Sequence, residues 1–159
     1  MAASGMDPFF IWLEATSLST WVRESTSAFA FPGIISLHAV GMGLVAGLNA
    51  VIALRILGVA RQVPFAEMKR FLPVMWLGFW MNAISGVFLL IAYPTKALTN
   101  PMFYMKLGLI AMAVIAAVKA VPKQSKSWAW LSLAGWTGAI AAGRLLAYTY
   151  SRLMATGPF

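Results

Sequence analysis

Cysteine is absent from this chain, histidine occurs once, and acidic residues number four in 159 positions. Each scarcity removes a class of chemistry. Without cysteine there are no disulfides, no thiolate zinc site and no cysteine-ligated iron–sulfur cluster. The acids Asp7, Glu14, Glu24 and Glu67 all lie outside the long apolar blocks. Paired-carboxylate catalysis, a carboxylate di-metal site and a carboxylate proton relay inside a membrane are thereby excluded. Charged residues make up only 10% of the chain and apolar ones 61%, whereas an ordinary soluble domain is about 25% charged. This is not the composition of a soluble enzyme, and no catalytic activity of its own is expected.

What charge there is has one sign. Twelve Lys and Arg give a net charge of +8, but they are scattered and sit mostly at block ends, where topology signals are found. A nucleic-acid partner is not expected; a lipid bilayer is.

Crossing a bilayer takes about 20 apolar residues per helix, and four blocks qualify, at about 32–57, 71–93, 101–121 and 128–150. Their ends carry helix punctuation. Phe31-Pro32 opens the first and Gly58 closes it as a left-handed C-cap. Pro73 stands early in the second, and Pro94 ends it. Asn100 caps the third, with Pro101 in the first helical position. Lys123 to Ser127 forms a polar turn before the fourth, and a short tail begins at Ser151. The connection holding Arg61, Pro64, Glu67, Lys69 and Arg70 should include a short surface helix. Ahead of the spans, residues 8–24 interleave Phe9, Phe10, Trp12, Leu13, Leu18 and Trp21 with polar residues behind an Asp7-Pro8 cap. That pattern predicts an interfacial amphipathic helix. The residues before Pro32 have no basic start, continuous apolar core or cleavage site of a signal peptide, so they are expected to stay in the mature protein. The expected fold is all-α, a four-transmembrane-helix bundle forming one integral membrane domain over 1–159.

Orientation follows from counting cations. Arg55, Arg61, Lys69, Arg70, Lys119, Lys123 and Lys126 fall on one side; Arg23, Lys96, Lys106, Arg144 and Arg152 fall on the other. The richer side should be cytoplasmic, which puts both termini on the outer, periplasmic side of a bacterial inner membrane.

Three ionisable residues lie inside spans, where such groups are functional candidates. At 1.5 Å per residue, His38, Lys106 and Arg144 each lie roughly 8–9 Å from the outer end of their helix. Gly86 falls near the same level on the second span, which also offers Gly78, Asn82 and Ser85. Met42 and Asn49 share the His38 side of the first helix, and Gly41 is beside them. Thr137, Arg144, Tyr148 and Ser151 make one stripe on the fourth span, opposite a small-residue strip of Gly135, Ala139, Ala142 and Gly143. Small strips let helices approach closely in lipid, so a homo-oligomer or a larger membrane complex is expected. Gly43 and Gly47 form a second strip, turned away from His38.

A single imidazole beside two cations suits a planar apolar cofactor that carries iron and two carboxylates, a b-type haem. His38 would be the metal ligand, Gly41 and Gly86 would leave room for the macrocycle, and Lys106, Arg144 and Tyr148 would hold the propionates. The sixth position would be Met42, Met81, Met105, the His38 of a second copy, or vacant. A quinone is the alternative, with His38 and Tyr148 donating to its carbonyl oxygens. Together these readings describe an electron-transfer protein. Plainer roles are available to every one of these residues: Lys106 and Arg144 snorkelling to phosphates, His38 bonding a neighbouring helix, Trp and Met packing. The chain would then be an accessory or scaffold subunit of a membrane complex.

Phe31-Pro32, Leu37-His38-Ala39-Val40-Gly41, Gly47 and Leu54-Arg55-Ile56-Leu57-Gly58 continue with Leu72-Pro73, Trp76, Gly78 and Phe79, then Ser85-Gly86, Pro101-Met102-Phe103 and Lys106. Over most of its length this pattern resembles a family of small bacterial four-helix integral membrane proteins with no assigned activity. The resemblance implies fold and membrane location. In layout the chain is also loosely similar to four-helix membrane cytochromes of the b type, which pair histidines across helices where this chain carries His38 alone.

Overall fold

A computed structural model of the protein describes residues 7–155. The described residues form eight helices and no strand: α1 (Asp7–Glu14), α2 (Ser17–Glu24), α3 (Phe31–Leu57), α4 (Phe65–Lys69), α5 (Leu72–Ala92), α6 (Pro94–Leu98), α7 (Pro101–Lys123) and α8 (Lys126–Ala155). Three stretches are long and apolar enough to cross a membrane: Phe31–Leu57, Phe65–Ala92 and Pro101–Lys123. Three such helices equip the chain for membrane association. The helix α8 is longer still, at 30 residues, but is not among the three.

Several boundaries differ from the sequence-based expectation. The segment 8–24 is two helices, because Thr16 interrupts the first and caps the second by accepting from the Ser19 backbone N–H. Pro94 opens the extra short helix α6. The third long helix continues through Pro122 to Lys123, ending on Gln124 in the left-handed region. Asn100 caps it by accepting from the Met102 backbone N–H at 2.9 Å, and Gly58 ends α3 at φ 104°. The tail begins as helix and reaches Ala155. Residues 156–159, and the side chains of Asp7, Ser151 and Arg152, lie outside the described residues, as does the capping expected of Asp7.

Tertiary packing divides the long helices into two antiparallel pairs, α3 with α5 and α7 with α8. They are joined through α3, which touches α8 and, more lightly, α7; α5 has almost no direct contact with α7 or α8. Both pairs close on small residues. A Cβ at Gly41 would come 2.6 Å from the Asn82 nitrogen and 2.8 Å from the Gly78 carbonyl, and one at Gly78 would come 2.9 Å from the Val45 nitrogen. Backbone thus rests on backbone where α3 crosses α5. On the other pair, Gly135 faces Ala113, Gly138 faces Leu109 and Gly143 faces Lys106, one constant antiparallel register. The strip Gly135, Ala139 and Ala142 is therefore buried within the chain, against α7. Gly43 and Gly47 do face outward, with nothing near their Cβ positions.

Burial is graded along the bundle. The hydrophobic core, including Val45, Ile52, Ile56, Met75, Ala113, Ala120 and Trp136, occupies the half next to the 58–70 connection, here the distal half. In the other half, which carries α1, α2 and α6, packing loosens. The inward residues of α3 go from buried (Val45, Asn49, Ile52, Ile56) to half-buried (Met42, His38, Ile34, Phe31). On α7 every buried residue, Ala113, Ala116, Ala117 and Ala120, is distal. Hence the two pairs meet most closely in the distal half and are packed less tightly around α3 toward the cap, where the space between them is here termed the crevice.

The cap itself is bolted down. Arg23 donates to the Ala92 carbonyl at 3.1 Å and the Glu14 carbonyl at 2.9 Å, satisfying a terminal carbonyl of α5 that no helical N–H can reach. The Glu14 carboxylate accepts from the Thr95 hydroxyl at 2.7 Å. Phe10 and Val22 are buried beneath this hairpin, whereas Phe9, Ile11, Trp12 and Trp21 remain exposed.

The glycine crossing yields a direct test. Gly41→Ala should cost about 1–3 kcal/mol through overpacking against backbone, whereas Gly43→Ala should stay within about 0.5 kcal/mol of wild type. Thermal unfolding in detergent, followed by size-exclusion chromatography, measures both; equal melting temperatures for the two variants would contradict the crossing geometry.

Candidate functional site

His38 stands on the inward face of α3, at the crevice. A Cβ on Gly86 would lie 3.2 Å from the imidazole Cε1, so the missing side chain there seats the ring itself and not a macrocycle. The room beside Gly41 is likewise filled, by the α5 backbone. Both glycines act by bringing α5 up to His38.

The imidazole is oriented by α5. Its Nδ1 lies 3.0 Å from the Asn82 carbonyl oxygen and 3.1 Å from the Ser85 hydroxyl oxygen. A carbonyl oxygen can only accept. The Ser85 hydroxyl sends its own hydrogen to the Met81 carbonyl at 2.6 Å, the usual back-bond of a helical serine. Both neighbours of Nδ1 are thus acceptors, and the hydrogen-bond network assigns the proton to Nδ1. The neutral ring then carries its lone pair on Nε2, which has no hydrogen-bond partner among the described residues. In the opposite direction, the Asn82 amide donates to the His38 carbonyl at 2.8 Å, so the two helices are tied reciprocally. Such a bond between membrane helices is worth about 1 kcal/mol; its larger effect is to fix one ring orientation.

Lys106 of α7 is half-buried, and with Asn49 of α3 bonded to Ser132 of α8, Gly143, eleven residues from Ser132 as His38 is from Asn49, lies at about the level of His38. The Lys106 stem and ammonium run along α8 at Gly143, where a Cβ would lie 3.6 Å from Nζ. Arg144 is one residue further and so is turned about 100° around the helix. It is exposed, as are Tyr148 and Thr137, and its guanidinium rests 5.4 Å from the Tyr148 ring centre. Of the residues singled out from sequence, His38 and Gly86 come together, Lys106 lies against Gly143 of α8 at about their level, Gly41 belongs to the helix crossing and Arg144 with Tyr148 to the outer surface. Met42 packs on the core, Met81 is half-buried and Met105 is exposed.

Asn49 does not join this level. Its side-chain oxygen accepts from the Ser132 hydroxyl of α8 at 2.7 Å, deep in the distal half, where the Asn49 amide nitrogen and the Trp136 indole nitrogen are both buried without a partner among the described residues. Ser132 and the Asn82 carbonyl were not singled out from sequence. A serine in an apolar helix carries little signal by itself, and a backbone carbonyl carries none. The i, i+3, i+4 spacing of Asn82, Ser85 and Gly86 was the available sign that α5 presents a polar face to a neighbour.

Because His38 is the only histidine, long-range nitrogen NMR of histidine-labelled protein reports this ring alone. The expected spectrum has a protonated, pyrrole-like Nδ1 and a pyridine-like Nε2 in the neutral form; the reverse assignment would show that Asn82 and Ser85 do not set the tautomer. No protein-family model matches the chain, and neither does any curated protein or solved structure.

Proposed function

We propose that this chain is a four-span bacterial inner-membrane protein that binds b-type haem through His38 Nε2 at the crevice and serves electron transfer. The observation that carries the reading is the state of the imidazole. Metal-ligating histidines typically donate one ring N–H to a carbonyl or carboxylate, which fixes the tautomer and raises the basicity of the other nitrogen. His38 has this arrangement, with Nδ1 held by Asn82 and Ser85 and Nε2 free. An axial haem site needs one such ligand; the absence of any cluster of three His, Cys, Asp or Glu among the described residues bears on multi-ligand metal sites only. Bound haem would supply one-electron chemistry. The protein's part is to orient the imidazole, exclude water with apolar helix faces and offer Lys106 to a carboxylate. The same tautomer disfavours a quinone held by donation from His38, because Nε2 accepts and cannot donate to a carbonyl oxygen; a quinol hydroxyl would suit it better.

An absorption spectrum of detergent-purified protein, oxidised and then dithionite-reduced, with a pyridine haemochrome assay, tests the reading. The expected result is a Soret band with sharp reduced α and β bands, lost in His38→Ala while the chain still elutes as a folded species. Haem-replete expression that yields only the tryptophan absorption would end it.

For topology, α8 is proposed as the fourth span. Its 30 residues give about 45 Å of helix against a hydrocarbon core of about 30 Å, and it pairs with α7 in register. The cation-rich 58–70 and 119–126 regions then face the cytoplasm, and both termini face outward. The cysteine-free chain makes labelling clean. With an impermeant maleimide on spheroplasts, Thr99→Cys should react, and Gln62→Cys and Gln124→Cys should react only after lysis; early labelling of Gln124→Cys would overturn the orientation.

A second reading, an accessory or scaffold subunit, is supported by the cap. The α1–α2 hairpin is fastened to α5 by Arg23 yet leaves Phe9, Ile11 and Trp12 exposed, a rigid apolar platform for lipid or for a larger subunit.

A further inference from the structure

We infer that the crevice beside His38 holds an anionic oxygen group, a carboxylate or a phosphate, against the Lys106 ammonium. Lys106 is half-buried inside an apolar helix, where an unneutralised charge is costly, and among the described residues no acidic side chain forms an ion pair with it. The chain's acids number four. Glu14 is engaged by Thr95, Glu24 by Arg23 and Glu67 by Arg70, and Asp7 belongs to α1 in the cap. His38, at about the same level, is a base and cannot serve as counter-ion.

Snorkelling does not relieve the charge. The constant register of α7 on α8, with Gly135 at Ala113 and Gly138 at Leu109, puts Gly143 at the level of the Lys106 backbone. An ammonium beside Gly143 has therefore extended sideways across α8 instead of climbing toward the headgroups. Sideways is also where the crevice lies. With α5 barely touching α7 or α8, an amphiphile can enter between the pairs from the bilayer, apolar body first toward the core and anionic end at Lys106.

This inference shares the crevice with the haem proposal but does not require metal ligation by His38. The probes are metal-free protoporphyrin IX, flat and apolar with two carboxylates, and its uncharged dimethyl ester, titrated into full-length protein in detergent by tryptophan quenching. Wild type should bind the free acid about ten-fold or more tightly than the ester, the scale of a charge-assisted bond. Lys106→Gln should bring the acid to the ester's level, and Lys106→Arg should restore the difference. Equal binding of acid and ester by wild type, or an undiminished difference in Lys106→Gln, overturns the inference. Phosphatidylglycerol as competitor identifies the source: abolition of the acid's advantage by this lipid, and not by phosphatidylcholine, makes the native anion a lipid phosphate, and persistence makes it a ligand carboxylate. If neither porphyrin binds, native mass spectra decide. Wild type must then retain phosphatidylglycerol over phosphatidylcholine and lose that preference in Lys106→Gln; absence of the preference overturns the inference. A missing Soret band with an intact acid–ester difference would reject haem and keep the anion site.

Discussion

Everything distinctive in this molecule depends on the contact of Gly41 with Gly78. In lipid no water is released when two apolar helices meet, so association relies on close packing and a few polar bonds. The absence of side chains at these two positions lets the α3 and α5 backbones come within the width of a single atom. That crossing sets the register of one helix on the other. Within one to two turns of it, the register brings Asn82, Ser85 and Gly86 to His38, and the reciprocal bonds between His38 and Asn82 then hold it. A looser crossing would leave the imidazole with neither a seat nor a fixed tautomer.

The second organising feature is uneven packing. In the distal half, alanines on α7 and α8 interlock and α3 closes against both pairs. Toward the cap the inward residues of α3 change from buried to half-buried, and α5 has almost no contact with α7 or α8. One end of the bundle is a core and the other an opening. The cap prevents this opening from becoming slack, because Arg23 and Glu14 anchor the N-terminal hairpin to the ends of α5 and α6.

Much of this was legible in the chain before folding was considered. Class followed from composition, since 61% apolar residues in blocks of membrane length exclude a soluble domain. Helix ends followed from Pro, Asn and Gly, whose backbone chemistry is local, and Asn100 and Gly58 cap as expected. The break at Thr16 was missed because a hydroxyl that can cap can also stay in a helix, and only packing chooses between them. Depth was also legible. Rise per residue is constant, and so His38, Gly86 and Lys106 could be assigned to one level from numbers alone.

Facing and partnership were not legible. The strip Gly135, Ala139 and Ala142 marked a close helix approach and is the seam with α7; Gly41 was read as space for a cofactor and is the seam with α5. A small residue marks a close approach without saying what approaches. Arg144 sits at the right depth but points outward, one step of 100° from Gly143. The sequence by itself determined which residues are helical, apolar and equally deep, because those properties depend on local backbone chemistry and on transfer from water to lipid. Only the tertiary structure decided which of them meet, and which imidazole nitrogen is left free, because both depend on the rotation of each helix about its own axis, which packing sets.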